Sequence, residues 1–173
     1  MTELLGKHSK EIQRILDKYP PDHRRSALMP LLFLAQREGG FIQDQALSEI
    51  SQILELDRTE VATLVGFYTL FHDQQGGDYR IQVCTDLCCA LRGSEGFLER
   101  LCEALSIQPG ETTPDGLITV EEVKCLAACD RAPMFQVQSR EGISYHENCN
   151  LEETLGLIQT WRDQSGAGKE DGS

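Results

Sequence analysis

Four cysteines in two short pairs constrain this chain more than any other feature of its sequence. Cys84 and Cys89 form a C-x4-C pair directly after the alternating run Tyr79-Arg80-Ile81-Gln82-Val83. Cys125 and Cys129 form a C-x3-C pair directly after a second apolar-alternating run, residues 117–124. The neighbouring Cys88 leaves C-x3-C open for the first pair as well. Between the pairs most of the chain has helical periodicity. A strand–helix–strand unit of this length sets its strands parallel, with a right-handed crossover. If the two strands are neighbours, their C-terminal ends lie at one sheet edge, about 4.8 Å apart. Topology alone then carries four sulfurs into one small volume. Soft thiolates select zinc or iron–sulfur rather than magnesium or calcium. The wide central gap matches neither ferredoxin spacing, plant-type or compact bacterial. Structural zinc also takes cysteines two to four residues apart, so on spacing alone both cofactors stay open.

Other chemistries find little support. No C-x-x-C opens a helix, which argues against a thiol–disulfide enzyme. A Rieske centre needs two histidine ligands, and His8, His23, His72 and His146 do not pair with the cysteines in that way. Each histidine reads as a surface or packing residue. Cys102 shares a helix face with Leu98 and Leu105 and reads as core, while Cys149 reads as incidental. Gly93-Ser94-Glu95-Gly96 lacks the G-x-G-x-x-G spacing, and no P-loop motif is present, so no standard nucleotide loop is expected. Glu121-Glu122 and Glu152-Glu153 read as strand-face and helix-surface carboxylates rather than catalytic pairs. Pro133 reads as a proline that opens a strand, with a cis peptide as the alternative. A net charge of −12 without a Lys/Arg cluster argues against nucleic-acid binding. No apolar run approaches the roughly 20 residues of a membrane span. The first residues lack a signal-peptide pattern, which predicts a reducing compartment, where seven cysteines suggest metal or redox chemistry.

The chain reads as two domains. Residues 1–72 carry four amphipathic helices, at about 8–19, 25–38, 44–54 and 57–68. Pro20-Pro21 and Gly39-Gly40 supply stops, and Asp57 with Glu60 suggests a capping box. Four helices with short connections make a small bundle. After the glycine-bearing break at 73–78, residues 78–163 read as strand, helix, three strands and helix. The expected strands are 78–83, 117–124, 134–139 and 143–147, and the helices 91–105 and 151–162. A parallel pair plus a hairpin makes a mixed four-stranded sheet with flanking helices. Residues 164–173 read as a disordered tail.

At this point the motifs become recognisable. Val83-Cys84-Thr85, Cys89-Ala90-Leu91-Arg92-Gly93-Ser94-Glu95, Val123-Lys124-Cys125-Leu126-Ala127-Ala128-Cys129 and Ala132-Pro133-Met134 resemble the thioredoxin-like [2Fe–2S] subunit family of respiratory complex I. Arg25-Ser26-Ala27-Leu28-Met29-Pro30-Leu31-Leu32 and Gly66-Phe67-Tyr68-Thr69-Leu70-Phe71 resemble the helical region of the same family. The resemblance implies a thioredoxin-like fold and one [2Fe–2S] cluster held by Cys84, Cys89, Cys125 and Cys129. It departs from the family at Cys88, where proline is expected, and Leu91-Arg92-Gly93 favours Cys89 as the ligand. It implies an FMN- and NADH-binding flavoprotein partner in NADH:quinone oxidoreductase, in a cytoplasmic peripheral arm of a membrane-associated complex. The same module occurs in NAD-reducing or bifurcating hydrogenases and in formate dehydrogenases. A zinc-stapled interaction module and a free-standing ferredoxin are the readings of other classes.

Overall fold

The computed structural model describes residues 3–167. The chain divides between Gln75 and Gly76 into two compact units. The first is all helical: α1 (Glu3–Leu16), α2 (Leu28–Gly39), α3 (Asp44–Leu54) and α4 (Arg58–Phe67). A 3-10 segment, Pro21–Ala27, stands where the second helix is expected to begin. Pro20-Pro21 stops α1, and Leu28 takes over as the first α-helical residue. The apolar stripes meet in one core, with Ile12, Ile15, Leu28, Leu31, Leu32, Ile50 and Val61 all buried. The expected capping box is half formed. Asp57 Oδ1 accepts from the Thr59 N–H at 2.7 Å. Glu60 turns away to pair with Arg25 at 2.6 Å, so it does not return to the cap.

The second unit holds β1 (Tyr79–Cys84), α5 (Leu87–Ala90), α6 (Ser94–Leu105), β2 (Ile118–Val123), β3 (Phe135–Ser139), β4 (Gly142–His146) and α7 (Leu151–Ala167). The strands form one mixed sheet in the order β2-β1-β3-β4. β1 and β2 pair in parallel, in a register from Tyr79 opposite Ile118 to Cys84 opposite Val123. β3 runs antiparallel to both β1 and β4. This is the expected parallel pair plus hairpin, and the two cysteine-bearing strands are neighbours.

Alternation along the strands separates two faces. Ile81, Val83, Ile118, Val120, Phe135 and Val137 pack with Phe97, Leu101 and Leu105 of α6 and Ile158 of α7. Phe97 and Phe135 stack at 6.1 Å, and Tyr79 stacks on Trp161 at 4.4 Å. The opposite face is polar. There Arg80 pairs with Glu121, and Gln82 donates to Glu121 at 2.8 Å. Gln138 donates in turn to Gln82 at 3.0 Å. Gly77, just before β1, runs so close to β2 that a Cβ there would lie 2.5 Å from the Leu117 carbonyl.

The helix expected at 91–105 is α6, which begins three residues later because the chain turns at Leu91–Gly93, and the one-turn α5 precedes it. Gly93 adopts φ 87, a left-handed conformation that glycine reaches without a Cβ penalty, and it starts α6 from there. The last helix continues through Ala167, past the expected end, and residues 168–173 of the expected tail lie outside the described residues. Leu101 is fully buried between α6 and the sheet. Leu101→Ala is expected to cost about 2–5 kcal/mol, read as a lower urea midpoint at unchanged m-value.

Candidate metal centre

The two loops that follow β1 and β2 build the site. Cys84 is the last residue of β1, and its N–H donates to the Met134 carbonyl at 3.2 Å. Thr85 N–H then donates to the Val123 carbonyl at 3.0 Å, which ties the two strand ends together. Asp86 caps α5 by accepting from the Leu87 N–H at 2.9 Å. α5 is a single turn and carries Cys88 and Cys89. Cys84 and Cys89 are each only 1% exposed and share a small buried cluster with Ala132 and Met134.

The second loop is irregular. Ala127 adopts φ 61, a left-handed conformation that costs a non-glycine residue about 1–2 kcal/mol. That turn lets the Ala127 N–H donate to Cys125 Sγ at 3.4 Å. Cys129 opens a short 3-10 turn, Cys129–Arg131, that leads into the cis Ala132–Pro133 peptide. Asn148 and Cys149 hold this stretch, donating from their N–H groups to the Arg131 and Pro133 carbonyls at 2.7 and 2.8 Å. Arg92 crosses from the first loop to the second, and its Nη1 donates to the Asp130 and Ala132 carbonyls, each at 3.4 Å.

The sulfurs interact as two pairs that also sense one another. Burial, a hydrogen bond with Cys84 and the charges of Cys84, Cys129 and Cys125 push the Cys89 thiol up to about 12. A hydrogen bond with Cys125, the Cys125 charge and burial push Cys129 up to about 11, with Cys88 adding to the effect. Thiolates crowded in this way repel unless a cation lies among them. Among the described residues, no three His, Cys, Asp or Glu side chains gather as ligands of a single metal ion. A two-iron cluster takes two thiolates per iron, so it needs pairs, not a three-ligand convergence. The donor set therefore fits a [2Fe–2S] group.

The remaining charges near the site are largely paired. Lys124 bonds Glu122 at 2.7 Å and Thr85 at 3.3 Å. Thr85 donates its hydroxyl to Glu122 at 2.6 Å. Those two partners and the Lys124 charge hold the Glu122 carboxyl below its usual range. Arg131 pairs with Glu147 at 3.0 Å. The histidines stand apart from the sulfurs' chemistry: His8 pairs with Glu38 at 3.0 Å, and His146 stacks on Phe135 at 4.8 Å. Cys102 is buried in the sheet–helix core. Cys149 donates to the His146 carbonyl at 3.0 Å. The Arg92 bridge and the Ala127 turn were invisible in the spacing of the cysteines, although Gly93 directly after Arg92 marks the turn that aims it.

Fold and site together define a class: a thioredoxin-like domain with thiols gathered at the ends of its parallel strand pair. The chain belongs to the thioredoxin-like [2Fe–2S] ferredoxin family, whose pattern matches residues 12–162. Its cofactor is the [2Fe–2S] cluster for which that family is named. An NADH-quinone oxidoreductase subunit of Rhizobium meliloti (strain 1021) is 42% identical over 153 residues, which cover 88% of each chain. NADH-quinone oxidoreductase subunit 2 of Thermus thermophilus is 39% identical over 86% of this chain and 82% of its own. Among solved structures, an NAD+-reducing [NiFe]-hydrogenase in the air-oxidised state aligns with a TM-score of 0.65 at 25% identity. That match covers 78% of this chain and 23% of the hydrogenase chain. No described helix is long and apolar enough to cross a membrane.

Proposed function

We propose that this chain is the electron-transfer subunit at the NADH-oxidising end of an NADH:quinone oxidoreductase, in a cytoplasmic peripheral arm. The observation that supports this best is the convergence of Cys84, Cys89, Cys125 and Cys129 from two neighbouring parallel strands. In this reading Cys84 and Cys89 form the buried pair of ligands, and Cys125 and Cys129 the outer pair. The cluster, when bound, supplies reversible one-electron transfer, with a potential on the order of −400 mV for all-cysteine ligation. The chain's own part is to hold four thiolates, shield two of them from water, and brace the loops through Arg92 and Asp86.

NADH delivers a hydride, and a one-electron carrier cannot accept it. The partner must therefore divide the electron pair, which is flavin chemistry, and an FMN-containing, NADH-binding flavoprotein fits that need. Residues 1–72 are the proposed docking domain for that partner. Phe33, Phe67 and Tyr68 stay exposed there, Phe67 at 74%; Phe33 and Tyr68 each contact the Phe71 ring, at 4.8 and 6.4 Å, and Phe67 packs on Tyr68 at 5.0 Å. Exposed aromatic clusters of this kind are the residues that anchor protein interfaces. The second reading places the same module in an NAD-reducing hydrogenase, favoured by the hydrogenase alignment.

Anaerobic spectroscopy tests the role. The purified chain should be bleached by dithionite and unaffected by NADH, and added flavoprotein should open at least partial reduction by NADH. Direct reduction of the flavin-free chain by NADH would overturn the assignment.

A further inference from the structure

One buried hydroxyl beside the site has no partner. Ser94 is fully buried, and its Oγ makes no hydrogen bond to any described residue, the Cys84 and Cys89 thiols included. Among the described residues it is the only buried side-chain oxygen or nitrogen so left. The usual local partners do not serve it. Gly93 holds the cap position of α6, so the Ser94 hydroxyl lies one residue inside the helix. Ser48, Thr63, Thr154 and Thr160 each donate to the carbonyl four residues earlier. For Ser94 that carbonyl belongs to Ala90, and the Gly93 N–H engages it at 2.9 Å. The position of Ser94 points to the site instead. α6 packs back along the sheet after β1, so its first residue stands at the edge where β1 ends in Cys84. The Arg92 N–H donates to the Cys89 carbonyl at 3.0 Å, so one tight turn separates Cys89 from Ser94. A helical Cβ tilts toward the N-terminus, here toward that turn, and Ser94 shares the inward face of α6 with Phe97, Leu98 and Leu101.

We propose that Ser94 donates its hydroxyl hydrogen to an inorganic sulfide of the bound cluster and so raises the reduction potential. The inference rests on the cluster assignment above. The two buried thiols are already in place and Ser94 bonds neither, so the acceptor is one that arrives with the cluster. A sulfide is such an acceptor, and hydrogen bonds to sulfur are among the features that set the potential of these groups. A buried hydroxyl without an acceptor carries the cost of its lost hydration, which a bond to sulfide removes. The direction follows from charge. Reduction adds one electron, and a donor bonds a more negative acceptor more strongly. The Ser94 hydroxyl therefore favours the reduced state, and it keeps its own proton throughout. The N-terminal end of α6, positive through its aligned peptide dipoles, acts in the same direction.

Redox titration and resonance Raman spectroscopy of the loaded full-length chain test this. Ser94→Ala removes a single oxygen and should keep its iron and sulfide. At a fixed ambient potential its ratio of reduced to oxidised cluster should fall about tenfold, a downward shift of ~59 mV for one electron. Ser94→Thr keeps a hydroxyl and should stay near the wild-type potential. Heavy-isotope sulfide identifies the bridging iron–sulfide modes. Transfer into deuterium oxide should shift those modes more in the wild type than in Ser94→Ala, a signature that altered packing alone does not produce. A loaded Ser94→Ala chain with the wild-type potential and the wild-type deuterium shift overturns the proposal. A difference confined to the terminal iron–cysteine modes overturns the sulfide as the acceptor. A wild-type chain that carries zinc, or no metal, overturns the cluster assignment beneath the proposal instead, so the failures read differently.

Discussion

Replacing Cys84 or Cys89 with alanine is expected to leave a folded, colourless chain with no bound iron or sulfide. Both side chains are almost fully buried beside Met134 and Ala132, so water cannot reach the vacated position as a substitute ligand. The thiol-for-methyl exchange itself should cost the fold little, on the order of 1 kcal/mol, since only one heavy atom is removed. Cluster loss and fold loss are therefore separable. Iron and sulfide assays measure the first, and circular dichroism the second. A brown Cys89→Ala protein would remove Cys89 from the ligand set and bring Cys88 into it, because the two are adjacent in α5. Cys102→Ala is the matched control: it too is buried, but in the sheet–helix core, so it should alter stability and leave the colour intact.

A chain that begins at Gly77 is expected to keep its visible spectrum and lose co-purification with the flavoprotein. The division between Gln75 and Gly76 leaves the ligand loops and the four strands inside the second unit. The first unit has its own apolar core, and its exposed Phe33, Phe67 and Tyr68 form the proposed anchor. A milder version targets only the anchor. Phe67→Ala should weaken association by at least tenfold, as truncation of an interface hot spot does. It should not change the thermal unfolding midpoint, because Phe67 is largely solvent-exposed. Retained binding by the truncated chain, or a lost cluster, would reverse the roles given to the two units.

Much of the second unit was legible in the order of its elements. A strand, a helix and a second strand, each strand followed by a cysteine pair, impose a parallel neighbour relation. The register from Tyr79–Ile118 to Cys84–Val123 is that relation realised. α3 occupies residues 44–54 as read, because its apolar spacing and the flanking polar residues agree. Where the reading differed from the structure, a local competitor won. The helix was expected to start at Leu91, but Gly93 in the left-handed region holds the start of α6 back to Ser94. Glu60 had the spacing of a capping box, and Arg25, distant in sequence, claimed it instead.

The site's finer features lay beyond the sequence for a related reason. That Cys89 is buried and Cys88 exposed depends on the rotation of one turn of helix. The left-handed Ala127 carries no sequence mark, since alanine gives no sign of φ 61. Arg92 could be read only as a nearby positive charge. Its fork to the Asp130 and Ala132 carbonyls exists because the second loop returns beneath it.

The central claim, one [2Fe–2S] cluster held by the converged thiols, is tested most directly by electron paramagnetic resonance on the anaerobically purified chain, with metal analysis of the same sample. The account predicts equal iron and inorganic sulfide, no stoichiometric zinc, a silent oxidised state, and one unpaired electron per chain after dithionite. A colourless, silent protein carrying one zinc would contradict it.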